Sequence, residues 1–294
     1  MSFAVPSIAI CLDLAVVCFK DALWPDSLLR IGRNLRFNRP VASGVNPMEG
    51  KMTYLQRREV VFGLGGVALA QAMLGRAGAA LAAEKIKPSA SSALIVVDVQ
   101  NCFLPGGSLA VKEGEQVIPV INRIAKGFEN VVMTQDWHTP HHISFASSHE
   151  GKKPFEVIKL AYGDQVLWPD HCVQGTEGAQ LAKDLNIPQA ELIIRKGFHN
   201  EVDSYSAFME ADKETHTGLA SYFKERGIDT VFVTGLATDF CVGWTAIDAR
   251  HAGLTVYVVE DACRGIDVGG SLAKAWADMT AAGVKRIQSS DLAV

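Results

Sequence analysis

From Ala93 onward the chain carries six short strand-like runs, most of them continuously apolar: Ala93–Val99, Asn130–Thr134, Leu192–Arg195, Thr230–Thr234, Leu254–Val259 and a short sixth, Val284–Ile287. A strand with one wet face alternates apolar and polar residues, whereas a strand covered on both faces does not. Helical spacing fills Glu113–Lys126, Gly218–Arg226, Phe240–Ala252 and Ser271–Ala282 between them. The pattern predicts a three-layer α/β/α domain with a mostly parallel sheet of about six strands over residues 93–294. Two stretches, 137–191 and 197–217, read as long irregular inserts, which in a compact domain are often functional.

Residues 1–92 read as a leader. Residues 1–87 hold 11 Lys/Arg against 6 Asp/Glu, a balance of +5, while the rest of the chain balances at −9. Arg57-Arg58 precedes the mild apolar run Val60–Ala70, and Ala80-Leu81-Ala82 offers a small-x-small cleavage pattern. The order basic, apolar, small is that of an export signal, and the paired arginines resemble a bacterial twin-arginine signal at about 52–83. Glu59 and Val60-Val61 depart from the commoner flanking residues. Met48 and Met52 lie just upstream of the arginines, so translation is expected to begin at one of them, leaving 1–47 outside the native protein. The expected localisation is periplasmic, with the export machinery as a partner. If the leader is an ordinary N-terminal helix, the protein is cytoplasmic. The apolar run is too short for a stable membrane span, which needs roughly 20 residues. Gly63-x-Gly65-x-x-Ala68 lacks a surrounding strand–helix–strand unit, so no nucleotide cofactor is expected. The overall net charge of −4 gives no nucleic-acid-binding surface.

Open α/β sheets bind ligands beyond the carboxyl ends of their strands. Asp98 and Gln100 follow the first run, Asp136 and His138 the second, Lys196 the third, and Thr238, Asp239 and Cys241 the fourth. Cys241 would begin a helix, where free N–H groups favour a thiolate and can hold an oxyanion. With Asp98 as proton carrier and Lys196 as fixed cation, it would be an acid–nucleophile–cation triad. On position alone, a buried apolar cysteine is the commoner alternative. Asp136-x-His138 places both side chains on one face of an extended segment, with His142 and His171 in nearby loops. Those donors suit Zn²⁺, Fe²⁺ or Mn²⁺. Neither HExxH nor CxxC occurs.

Taken together, these segments resemble the isochorismatase-like cysteine hydrolases, and within them the nicotinamidase/pyrazinamidase group. The carrying stretches are Val96–Asn101, Leu104–Ala110, Asp136-Trp137-His138, His142-x-Ser144-Phe145, Trp168–Val173 with Gly175-Thr176, Arg195-Lys196-Gly197, and Thr234–Val242. The resemblance covers residues 93–294. It implies Asp98, Lys196 and Cys241 as catalytic residues, with the Ala237 and Cys241 N–H groups as oxyanion donors. It implies Asp136, His138 and His171 as ligands of one divalent metal ion, with His142 at a fourth position that varies in the family. Phe103, Trp168, Tyr205 and Gln100 fall on the substrate side, and the Leu236–Ala237 bond matches a position that is usually cis. The implied reaction is metal-dependent hydrolysis of nicotinamide, and of pyrazinamide, to the acid and ammonia through a thioester on Cys241. The alternatives are an amidase for another small carboxamide or ureido compound, and a non-catalytic metal-binding protein. The small-molecule substrate is the principal partner, and a homo-oligomer is compatible with the sequence.

Cys102 departs from the family by replacing an acidic residue. Cys11 and Cys18 lie in the leader; Cys102, Cys172, Cys241 and Cys263 lie in the body. In an oxidising compartment a disulfide at Cys241 would abolish activity, and Cys102 and Cys172 lie in loops that could reach it. Cys241 is expected to stay a free thiol.

Overall fold

The computed structural model describes residues 84–294. The expectations about the export signal and the start codon concern residues outside that range. Six strands form one sheet: β1 (Ser92–Val97), β2 (Asn130–Asp136), β5 (Leu192–Lys196), β6 (Thr230–Leu236), β7 (Thr255–Arg264) and β8 (Lys285–Ile287). Their spatial order is β5-β2-β1-β6-β7-β8, and every neighbouring pair is parallel. The chain winds outward from β1 in one direction to β5, then returns beside β1 at β6 and winds the other way. The reversal lies between β1 and β6, where open α/β sheets place their ligand crevice.

The strand period of two sorts the core into two layers. Leu94, Val96, Val131, Phe232 and Val259 pack with Val117, Ile118, Ile121 and Ile124 of helix α1 (Val117–Ile124). The intervening residues Ile95, Val97, Val132, Val231, Val233, Val256 and Val258 point the other way. They pack against α2 (Leu219–Glu225), α3 (Gly243–His251) and α4 (Ser271–Ala281) through Leu219, Phe223, Ala246, Ala249, Ala275 and Met279. All six residues of β1 are buried, which is why the run showed no alternation. The sequence reading of a three-layer α/β/α domain therefore describes the fold.

Two local expectations change. The stretch 137–191 is not wholly irregular, because β3 (Val157–Leu160) and β4 (Gly163–Val166) form an antiparallel hairpin. Its strands are only four residues long, too short for alternation to register. The helix expected from Phe240 begins at Gly243 and follows a π-helical turn, Thr238–Val242. Among the described residues, no helix is long and apolar enough to cross a membrane.

Candidate active site

The site is built from the carboxyl ends of four neighbouring strands. Asp98 directly follows β1, in a left-handed conformation with φ of 47°. Its backbone N–H donates to Thr134 Oγ1 on β2 (3.1 Å), and the same hydroxyl donates to Asp98 Oδ1. Gly235 lets the strands approach here: a Cβ on it would lie 2.0 Å from the Val97 carbonyl oxygen. On the other side, strand register pairs Asp136 at the end of β2 with Lys196 at the end of β5.

Lys196 is fully enclosed and joins the groups around it. Its Nζ lies 2.8 Å from Asp98 Oδ2 and ion-pairs with Asp136 Oδ1. It also donates to Cys241 Sγ (3.2 Å) and to the Ser204 carbonyl oxygen (3.0 Å). Burial opposes the charge on the lysine, but the carboxylates of Asp136 and Asp98 outweigh it and raise the pKa well above the usual value. Burial raises the Asp98 carboxyl, with Lys196 opposing it. Burial raises the Cys241 thiol well above its usual value, again against Lys196. For Asp136 burial acts in the same upward direction, yet Lys196 and the two histidines prevail and hold the carboxyl well below its usual value. The resting arrangement is therefore a thiol beside a proton-accepting carboxyl, with an ammonium between two acids. Cys241 sits in the π-helical turn rather than in the first turn of a regular helix, and the Leu236–Ala237 peptide leading into it is cis.

Asp136 also faces His138 and His171. Its Oδ2 lies 3.7 Å from the Nε2 atom of each. His138 Nδ1 donates to the Gly197 carbonyl (2.9 Å), and His171 Nδ1 donates to the Pro169 carbonyl (2.8 Å). Those bonds leave Nε2 as the nitrogen facing the carboxylate on each ring, so that loss of its proton would present two lone pairs beside Asp136, an arrangement that fits a metal ion. The three donor atoms converge within 4.8 Å. Gly197 makes room for this: a Cβ there would lie 2.5 Å from His138 Cε1, and its φ is +66°.

Two candidates from the sequence are placed otherwise. The His142 ring lies beside that of His138, with centroids 4.4 Å apart. However, its Nε2 donates to the His199 carbonyl (3.0 Å), and its Nδ1 accepts from the Ser144 hydroxyl (2.8 Å). With both nitrogens engaged, His142 is not a fourth donor to the Asp136 cluster; it groups instead with His138 and Asp203. Gln100 does not line the cavity. Its Nε2 donates to the Asp136 and Ala179 carbonyls (2.9 Å each), and its Oε1 accepts the Asp136 N–H (2.8 Å). It clamps the end of β2, and so positions a metal-type donor.

The cavity over these groups is lined by Phe103, Trp168, Tyr205, Ala237 and Cys241, as expected, and by Leu109, Asp203, Phe240 and Ile266, which were not singled out. It is a narrow cavity of about 20 Å³. Phe240 meets Trp168 edge-on at 4.7 Å. Tyr205 accepts hydrogen bonds from Trp168 Nε1 and Gln165 Nε2 (3.0 Å each), and Gln165 also donates to Asp203 Oδ2 (2.7 Å). Phe240 was legible as an aromatic beside Cys241. Asp203 and Gln165 had no local signal. Among the described residues Cys241 and Cys263 are free thiols, and Cys102 and Cys172 are joined to each other. The expected hazard to Cys241 from those two cysteines is thus resolved by their own pairing.

The Isochorismatase domain model matches residues 92–291. A nicotinamidase of Acinetobacter baylyi is 61% identical over 210 residues, covering 71% of this chain and 98% of that protein. A solved nicotinamidase/pyrazinamidase structure from Acinetobacter baumanii superposes with a TM-score of 0.69 at 63% identity, covering 70% of this chain and 99% of that one. The pyrazinamidase of Pyrococcus horikoshii, solved in complex with zinc, superposes with a TM-score of 0.55 at 35% identity, covering 67% of this chain and 99% of that one.

Proposed function

The chain belongs to the isochorismatase family, in its nicotinamidase branch, and on that premise we propose that it hydrolyses the carboxamide of nicotinamide, and of pyrazinamide, through a thioester on Cys241. The observation that carries this reading is the contact of Lys196 Nζ with both Cys241 Sγ (3.2 Å) and Asp98 Oδ2 (2.8 Å) beneath an aromatic cavity. A divalent ion (Zn, Fe or Mn) held by Asp136, His138 and His171 would supply a Lewis-acid point for the ring nitrogen; zinc is the ion in the Pyrococcus horikoshii relative.

The chemistry then follows from the chain's own groups. Phe103, Trp168, Tyr205 and Phe240 stack around a flat ring and exclude water. The raised thiol pKa means that sulfur must lose its proton as it attacks. Asp98, itself shifted upward by burial, accepts that proton. Charge on the carbonyl oxygen develops toward the Ala237 and Cys241 N–H groups. Asp98 returns the proton to the departing nitrogen, which leaves as ammonia. Water enters, Asp98 takes one of its protons, and the oxygen adds to the thioester. Sulfur leaves, regains the proton, and the carboxylic acid is released. Lys196 keeps its charge throughout and offsets whichever neighbour is anionic.

Ammonia release from nicotinamide and pyrazinamide by the purified full chain tests this, beside Cys241→Ala and a chelator-treated sample. Release that vanishes in both controls is the expected result. Activity retained by Cys241→Ala would overturn the mechanism. Hydrolysis of other carboxamides but of neither pyridine nor pyrazine amide would overturn the substrate. Export by the leader is likewise a proposal, supported by its charge and cleavage pattern. Cell fractionation checks it, and a cytoplasmic, unprocessed product would refute it.

A further inference from the structure

Cys102 and Cys172 lie 70 residues apart in sequence, and their Cα atoms are 5.8 Å apart, inside the range that a disulfide spans, about 4.4–6.8 Å. Both are buried, and each is next to a residue of the site. Cys102 is the middle residue of the Asn101–Phe103 turn. Its neighbour Phe103 lines the cavity and lies 5.6 Å from the ring of His171, centroid to centroid. Cys172 follows His171 directly. It takes a left-handed backbone conformation with φ of 46°, and its carbonyl accepts the His138 N–H at 3.1 Å. One covalent bond therefore reaches the aromatic wall at one end and two metal-type donors at the other.

The two segments also touch without the bridge. Cys102 N–H donates to the Gly178 carbonyl (2.9 Å) and Asn101 N–H to the Gln180 carbonyl (3.0 Å). The loops therefore stay close when the sulfurs are separate. What the bridge adds is a fixed relation between the Phe103 ring and the His171 ring.

We propose that the Cys102–Cys172 disulfide is a positioning bridge, setting the metal-holding histidines His171 and His138 against the Phe103 wall, so that breaking it loosens metal and ring binding while leaving the thiol chemistry intact. This rests on the reading of Asp136, His138 and His171 as metal ligands. Outer groups that orient metal ligands typically change metal affinity by about 10–100-fold. Cys241 is a free thiol whose sulfur is contacted by Lys196, and it takes no part in the bridge.

The test uses the full chain. A non-reducing peptide map should show one Cys102–Cys172 cross-linked pair, with Cys241 and Cys263 free. Zn²⁺ affinity is then measured by competition with a chromophoric chelator, with KM, kcat and the melting temperature, for wild type, Cys102→Ser, Cys172→Ser and the double variant. Affinity should fall about 10-fold or more and KM should rise, with kcat at saturating metal and substrate changed by less than about 3-fold. The double variant should match either single variant, because the bridge is one unit. A trialkylphosphine, which with water converts the disulfide to two thiols and becomes the phosphine oxide, should bring wild type to the variants' values and leave the double variant unchanged. If a variant fails to fold, phosphine treatment of wild type, carried on until the peptide map shows the cross-link gone, still decides. A map without the cross-link, or a lower melting temperature with unchanged Zn²⁺ affinity and KM, would overturn the proposal. Failure to hydrolyse nicotinamide would overturn the proposed function alone, since the Zn²⁺ comparison does not depend on turnover.

Discussion

Asp136 and Lys196 are register partners at the ends of adjacent parallel strands, and their side chains form an ion pair buried beneath the cavity. The same ammonium contacts Asp98 and Cys241. The metal-type cluster and the Cys241 thiol therefore share one cation. Substituting Lys196→Met would remove the cation that Asp98 and Asp136 share, leaving Asp98 without a charged partner. A loss of about 3–5 kcal/mol in unfolding free energy is expected, with kcat lower by about 10²–10³-fold. Urea unfolding and steady-state kinetics check both, and a variant as stable as wild type would show that the acids are offset elsewhere.

Gly197 tests the metal cluster from the backbone side. Its φ is +66°, and a Cβ added to it would meet His138 Cε1 at 2.5 Å, so Gly197→Ala must displace the imidazole or its loop. Zn²⁺ affinity should fall about 10–100-fold, read by chelator competition. An unchanged affinity would mean that the His138 bond to the Gly197 carbonyl does not set the ring's aim.

Thr134 holds Asp98 by two hydrogen bonds, one accepted from its N–H and one donated to its carboxylate. Thr134→Val keeps the shape and removes both. The fall should appear in kcat rather than KM, about 10-fold for each ~1.4 kcal/mol lost. A change confined to KM would place Thr134 in substrate fit instead of proton transfer.

His142 gives the protein a pH signature. Burial first, and then the positive charge of His138, lower its pKa from 6.5 to about 4. Between those values the unfolded chain binds the proton and the folded one does not, so this contribution to stability rises with pH. The contribution is complete above about pH 6.5 and declines as pH falls toward 4, by roughly 3 kcal/mol at the lower end. His142→Gln should remove that part of the slope in chelator-treated protein. Urea midpoints at pH 7.5 and 4.5 for both proteins, each titrated in parallel, measure it. Equal slopes would contradict the burial argument.

The fold was legible because strands covered on both faces write continuous apolar runs, as in Ser92–Val97. The polar residues just past those runs, Asp98, Asp136, Lys196 and Cys241, were legible because a parallel sheet gathers its strand ends on one edge. What could not be read was orientation within the loops. Gln100 and His142 have side chains suited to substrate or metal, yet both are engaged by partners 36 to 79 residues away or by a serine two residues on. The β3–β4 hairpin left no period because it is short. Asp203 enters the site through an irregular insert, where sequence spacing says nothing about which side chains meet. The same holds for Cys102 and Cys172, separated by 70 residues.

The burial of Cys241 and Cys263 against the pairing of Cys102 with Cys172 has a consequence for how the protein matures. In the unfolded chain these four thiols are chemically alike, and any of them can be cross-linked. Completion of the sheet is what tells them apart, by bringing two into contact and holding the other two away from any partner thiol among the described residues. Among these four, an oxidant that meets the chain after folding therefore finds Cys102 and Cys172 already paired off, while one that meets it earlier can cross-link Cys241. The order of folding and oxidation, rather than the amount of oxidant, then determines how much of the protein carries a usable sulfur.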